Sequence, residues 1–303
     1  MKKLLAFILA AVMTASLCAC GSSNSESEGS TSAKGSSAAG KPVAASDVKV
    51  GCIMIGDENE GYTEAHLKAV EEMKKNLGLT DDQVVIKTNI KEDEGCYDAA
   101  VDLAEQGCNI IIANSFGHES YILQAAADYP DVQFCHATGY QAKSSGLANM
   151  HNFFTNVYES RYLSGVVAGM KLNEMIQKGE VTKDKCKIGY VGAFPYAEVI
   201  SGFTSFYLGV KSVCDSATME VKYTNSWASF DLEKECAEQL IADGCVLISQ
   251  HADTTGAPTA CEAKKVPCVG YNIDMIPTAP DAALTSATIN WGPYYTYAVQ
   301  SVI

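Results

Sequence analysis

From residue 48 onward the chain alternates short, continuous apolar runs with longer amphipathic stretches. Val48–Gly56, Val84–Ile90, Asn109–Phe116 and Val132–Ala137 have strand length and few charges. Between them, Tyr62–Leu77 carries Ala65, Ala69, Val70, Met73 and Leu77 at helical spacing and stops at Gly78. Tyr97–Gln106 stops at Gly107, and Ser120–Asp128 stops before Pro130. Strands alternating with helices of this length predict parallel βαβ units.

The pattern then starts over. Lys49-Val-Gly-Cys-Ile-Met-Ile-Gly56 returns as Lys187-Ile-Gly-Tyr-Val-Gly-Ala-Phe194, and Leu103-Ala-Glu-Gln-Gly-Cys108 returns as Leu240-Ile-Ala-Asp-Gly-Cys245. The two offsets differ by one residue, so two similar α/β halves are expected. In the second half, strands are expected at Lys187–Phe194, Glu220–Trp227, Val246–His251 and Pro267–Asn272. Helices are expected at Glu198–Val213, Asp231–Asp243 and Pro258–Lys265.

Two extended stretches read as crossings between the halves. Leu147–Asn156 leads into a long helix, Val157–Lys178, whose Ser164, Gly165, Ala168 and Gly169 suit close backbone packing. Ala283–Trp291 reads as the return, followed by a helix from Tyr294 that the chain leaves unfinished at Ile303; part of the C-terminus is expected to be missing. This gives one lobe of residues 48–156 and 284–303, and another of 157–283.

The N-terminus changes the picture of location. Met1-Lys-Lys precedes an apolar stretch, Leu4–Leu17, too short to span a bilayer comfortably. Leu17-Cys18-Ala19-Cys20 resembles a bacterial lipobox, which makes residues 1–20 a lipoprotein signal peptide and Cys20 the lipidated residue. Residues 21–47, rich in Ser, Gly, Ala and Glu, form a tether with too little apolar surface to fold. A net charge of −14 and a single arginine, Arg161, exclude the basic footprint of a nucleic-acid partner. The cysteines beyond Cys20 sit largely inside apolar strand patterns, as small hydrophobes do, so mostly free thiols are expected.

Ligands of open parallel α/β sheets bind beyond the carboxyl ends of the strands. Here those ends carry Asp57, Tyr62 and His66 after the first strand, and Phe116 after the third. In the second half they carry Phe194, Trp227, His251, Asp253 and Asp274, with Trp291 on the return crossing. Aromatic rings stack on flat ligands, and carboxylates and amides accept hydrogen bonds from exocyclic amines or sugar hydroxyls. This describes a planar or cyclic polar ligand, and a sugar site has a similar composition. Enzyme signatures are missing. Gly56-x4-Gly61 continues as Tyr62-Thr63 rather than the Lys-Ser/Thr of a phosphate loop. No nucleophile elbow, zinc spacing or cofactor motif occurs. Neither catalysis nor a cofactor or metal is therefore expected.

Several motifs carry a resemblance to the basic membrane protein (BMP) family of substrate-binding lipoproteins. They are Arg161-Tyr-Leu-Ser-Gly-Val-Val-Ala-Gly169, Gly189-Tyr-Val-Gly-Ala-Phe-Pro-Tyr-Ala-Glu-Val199, Asn225-Ser-Trp227, Gln250-His251 and Trp291-Gly-Pro-Tyr-Tyr295. The resemblance runs from about residue 48 to 303. It implies a type I periplasmic-binding-protein fold, two Rossmann-like lobes with parallel sheets joined by a hinge. It also implies a monomeric, lipid-anchored protein on the extracytoplasmic face, serving the permease and ATPase subunits of an ABC importer. The ligand implied is a purine nucleobase or nucleoside. Nucleoside-binding relatives use an Asp and a Phe in the loop after the first strand and a Lys near the second crossing. Here Gly61-Tyr62 with His66, and Trp291, stand in those places, while Asp274 matches the acidic position used toward ribose. These departures fit a free purine base. A sugar or other small polar ligand, and a purine-sensing surface lipoprotein, are the alternative readings.

Overall fold

The computed structural model describes residues 42–303, so Cys20 and most of the tether lie outside the described residues. Two five-stranded parallel sheets organise the chain. The first lobe runs β1 (Val50–Ile53), α1 (Gly61–Leu77), β2 (Val84–Lys87), α2 (Glu94–Glu105), β3 (Ile110–Ala113), α3 (Glu119–Asp128), β4 (Gln133–Ala137), the short α4 (Ala142–Ser145) and β5 (Met150–Phe153). The second runs α5 (Val157–Gln177), β6 (Lys187–Gly192), α6 (Ala197–Val213), β7 (Thr218–Tyr223), α7 (Phe230–Ala242), β8 (Leu247–His251), α8 (Gly256–Lys264), β9 (Cys268–Asn272) and β10 (Ala283–Thr288). α9 (Gly292–Gln300) returns to the first lobe and packs on α1.

Strand order is β2-β1-β3-β4-β5 in one sheet and β7-β6-β8-β9-β10 in the other. Counted within its own lobe, each sheet has the order 2-1-3-4-5, so the sequence repeat is a repeat of topology. The chirality of right-handed βαβ crossovers places helices on both faces of such a sheet. The central strands show it residue by residue. Val50, Cys52, Ile110 and Ile112 enter one core layer; Ile53, Ile111 and Ala113 enter the layer on the opposite face. Two apolar faces need uninterrupted apolar runs, which is what the sequence supplies. All ten cysteines among the described residues are free, and nine are buried.

The crossings differ from the expectation at one boundary. β5 pairs with β4, so residues 150–153 belong to the first sheet, and the chain crosses at 154–156. β10, however, pairs with β9 from Ala283↔Cys268 to Thr288↔Asn272. Residues 284–288 are therefore the edge strand of the second lobe, and the return crossing is 289–291.

The small residues of α5 have the expected purpose. A Cβ on Gly165 would lie 2.1 Å from the Phe206 carbonyl oxygen, and one on Gly209 would lie 2.1 Å from that of Tyr162. α5 and α6 thus touch backbone to backbone, and neither position has room for a methyl group. We expect Gly165→Ala to cost about 1–3 kcal/mol, the range for overpacking a tight contact. Gly78→Ala, a helix cap at φ +68 with nothing within 4 Å, tests backbone strain without crowding and should cost about 1 kcal/mol. Urea denaturation of both variants checks the difference.

Candidate functional site

The carboxyl ends of both sheets face a single cleft of about 730 Å³. Four loops of the first lobe form one wall. After β1, Glu60 caps α1: its carboxylate accepts from the backbone N–H groups of Tyr62 (2.5 Å) and Thr63 (2.8 Å). Tyr62, on the first turn, lines the cleft and donates its hydroxyl to the Asn114 carbonyl at 2.5 Å. After β3 come Ser115 and Phe116, held by Glu92, whose Oε1 accepts from Ser115 Oγ (2.6 Å) and Gly117 N (2.7 Å).

After β4, Thr138, Gly139 and Tyr140 reach the cleft. Buried Glu119 clamps this loop by accepting from Tyr140 N and Gln141 N, both at 2.7 Å. A Cβ at Gly139 would meet His136 Nδ1, Asn152 Nδ2 and Glu119 Oε1 within 2.4 Å, so the clamp leaves room for glycine alone. Phe154, just beyond β5, completes this wall.

The second lobe supplies Phe194, Tyr196, Ala197 and Glu198 after β6, Asn225–Ala228 after β7, Asp253 after β8 and Tyr271 from β9. Phe194 and Tyr196 stack with centroids 5.0 Å apart and planes 9° apart, and Trp227 leans on both at 5.4 and 6.1 Å. Across the opening, Phe116 lies 5.9 Å from Tyr196. The lobes also meet through the backbone. Gly61 N donates to Asp253 O at 3.2 Å, and within the second lobe Asp253 N donates to Trp227 O at 2.8 Å. A Cβ on Gly61 would sit 3.1 Å from that Asp253 oxygen and 3.3 Å from Ile273.

Charge is distributed unevenly behind these walls. Glu198 Oε1 pairs with His251 Nε2 at 2.6 Å. Burial would raise the Glu198 pKa, but the His251 and Arg161 charges bring it below the usual carboxylate range. Arg161 is fully buried, donates to Gln250 O at 2.7 Å and lies 3.9 Å from the Tyr271 ring centroid. Asp253 is different. Burial raises its pKa well above the ordinary value, and the charges of Glu60, Glu233 and Glu198 add to the rise against a bond from Asn272 Nδ2 (2.8 Å). Burial likewise raises Glu60, and it carries Glu233, behind Thr254, from 4.5 to about 7. Among the described residues no His, Cys, Asp and Glu group of three or more could hold a metal ion.

Residues 48–303 match the Bmp family, described as "ABC transporter substrate-binding protein PnrA-like". The chain belongs to the Bmp family. It is 34% identical over 257 residues to a purine-binding protein of Brucella abortus (strain 2308), a match covering 84% of this chain and 69% of the relative. It is 33% identical over 199 residues to a Haloferax volcanii protein named as an ABC transporter glucose-binding protein, covering 66% of this chain but only 47% of that one. Among solved structures, an ABC transporter solute-binding protein of Aeropyrum pernix K1 superposes with a TM-score of 0.71 at 16% identity, over 84% of this chain and 70% of that one. At that identity the likeness concerns the fold, which is the type I periplasmic-binding architecture of two α/β lobes. As a Bmp protein the chain is an ABC-transporter substrate-binding protein. The family works outside the cytoplasm, with a small-molecule ligand and permease and ATPase partners. Among the described residues no helix is long and apolar enough to cross a membrane.

Of the residues expected at this Bmp cleft, Tyr62, Phe116, Phe194, Trp227 and Asp253 line it. Five others sit elsewhere. Asp57 spends its carboxylate on the turn before α1, accepting from Asn59 N (3.0 Å), Asn59 Nδ2 and Asn89 Nδ2. His66 is wholly buried and stacks on Trp291 at 4.4 Å and 15°, with Nδ1 2.9 Å from Tyr295 Oη; burial lowers its pKa to about 3. His66 and Trp291 thereby fasten α9 to α1 instead of facing ligand. His251 lies beneath the wall as the partner of Glu198. Asp274 is exposed on a turn, accepting from Ile276 N at 3.0 Å. Glu60 and Tyr271, which belong to the strand-end stretches 57–62 and 271–274, line the cleft as well, and the residues missing from the expectation are Glu92, Tyr140 and Glu198. Tyr140 follows a strand end, so the same rule applied to β4 would have found it.

Glu233 yields a stability prediction. Its carboxyl holds its proton more tightly folded than unfolded, so folding takes up a proton between pH 4.5 and 7. The contribution of this group to stability is full below pH 4.5 and falls as pH rises through about 7. One pKa unit is about 1.4 kcal/mol, so the loss is on the order of 3 kcal/mol. The difference in unfolding free energy between wild type and Glu233→Gln, measured from pH 4.5 to 8, should change by that order, with the wild type falling faster.

Proposed function

We propose that this cleft binds a purine base or nucleoside and hands it to an ABC permease, with the protein tethered to the membrane through Cys20 and residues 21–47. The observation that carries this reading is the aromatic set of Phe194, Tyr196 and Trp227 facing Tyr62 and Phe116, with carboxylate acceptors set among the rings. A purine offers two flat faces and a rim of N–H donors. The faces match the rings, and the donors match Glu60, Glu92 and Asp253. The Brucella relative, named as purine-binding and 34% identical, supports the same reading.

Closure of the two lobes buries the ring, and the closed shape is the form a permease distinguishes from the open one. The backbone bond from Gly61 to Asp253 joins the two lobes beside the cleft.

A sugar ligand is the second reading, favoured by the Haloferax relative's name. Sugar rings also lie on aromatic faces, so composition alone does not separate the two. Calorimetry and melting shifts with adenine, guanine, hypoxanthine, their nucleosides, glucose and galactose do. Purines should bind and the hexoses should not; binding of a hexose with no purine response reverses the assignment. Trp227→Ala should weaken purine binding by about tenfold or more, since stacking on one aromatic side chain contributes about 1–3 kcal/mol. For the anchor, metabolic labelling with a fatty acid should mark the wild-type protein and not Cys20→Ala.

A further inference from the structure

The cleft is lined by four carboxylates, Glu60, Glu92, Glu198 and Asp253, and by no lysine, arginine or histidine. Their surroundings divide them. Glu198 already has partners, the His251 imidazole at 2.6 Å and the Arg161 charge beyond it. Glu92 holds its loop through Ser115 and Gly117. Glu60 and Asp253 have no cationic partner among the described ion pairs. They come from opposite lobes and converge on the seam where Gly61 N meets Asp253 O, with Glu233 behind.

Glu60 accepts from the backbone N–H groups that open α1 and Asp253 from Asn272 Nδ2; neither has a counter-ion at the seam, and that is costly. Ionised groups taken out of water must be paired or give up their charge. Burial does raise Glu60 and Asp253, and for Asp253 the neighbouring carboxylates push further in the same direction. The aromatic walls complete the pattern. A cation over the face of Trp, Tyr or Phe gains about 0.5–2 kcal/mol, more as water is excluded. Phe116, Phe194, Tyr196 and Trp227 present such faces in the same cavity.

We propose that the cleft selects a positively charged planar ring, an N-alkylated purine or another quaternised heteroaromatic, whose charge is neutralised by Glu60 and Asp253 as the lobes close. This rests on the planar-ring reading of the site and narrows it. A neutral ring leaves the seam to be neutralised by protons; a cationic ring replaces them. Cation binding therefore releases protons that neutral-ring binding leaves in place.

The test compares 1-methyladenosine, which is cationic at neutral pH, with its neutral isomer N6-methyladenosine, and repeats the pair as free bases. Adenosine and adenine serve as unmethylated references, and the full chain is titrated calorimetrically in buffers of different ionisation enthalpy. The cationic isomer should bind about tenfold tighter and release more protons. That preference should shrink in Asp253→Asn and in Glu60→Gln. Equal or tighter binding of the neutral isomer overturns the proposal and leaves the purine reading intact, as does rejection of both isomers by a protein that binds adenosine or adenine. Absence of binding by every purine, charged or neutral, removes the underlying reading. The wild-type comparison decides the matter even where a variant fails to fold.

Discussion

Each sheet is covered by helices on both faces, and that burial governs where everything else can go. Val50, Cys52, Ile110 and Ile112 point into one layer, Ile53, Ile111 and Ala113 into the other. With both faces committed to core, chemistry is confined to the ends of the strands. Parallel pairing makes all the carboxyl ends emerge on the same side, so the loops that follow them gather there. The repeat doubles this arrangement, and the two clusters of loops meet in one cavity.

Within that cavity the scaffold divides its labour. Several carboxylates hold loops: buried Glu119 with two backbone N–H groups, Glu92 with a hydroxyl and a backbone N–H, Glu198 with an imidazole. The aromatic rings form an almost continuous line from Tyr140 through Phe116 and Tyr196 to Phe194 and Trp227. Tyr140, Phe116 and Tyr196 remain substantially exposed, at 73%, 39% and 44%. Rings left this wet at a cavity mouth have apolar surface still to bury, and a ligand or further closure can bury it.

The order of strands and helices was legible because it depends on local periodicity, and the two-lobe plan because the motif pairs recur at nearly one offset. β10 was hidden for a physical reason. Its pattern, Ala283-Leu-Thr-Ser-Ala-Thr288, mixes polar and apolar positions, and its membership is fixed only by pairing with β9. The site was legible to the level of which loops and not which side chains. His66 and Trp291 have the composition of ligand contacts, but their partners are each other and Tyr295, a choice made by the docking of α9 far along the chain. Asp274 follows a strand end like Asp253 and differs only in where its turn points. Glu60 and Glu198 read as helix-start residues, and it takes the tertiary fold to set them in a cavity wall.

Gly61 gives the seam between the lobes an unusual economy. The jaws meet there main chain to main chain, with a side chain's worth of space removed. A β-carbon at that point would press on the Asp253 carbonyl, 3.1 Å away, and on Ile273, 3.3 Å away, so the facing loop would have to yield by a few tenths of an ångström. Position 61 thus ties the fit of the two jaws to the residues beside it, Glu60 and Tyr62, which line the cavity.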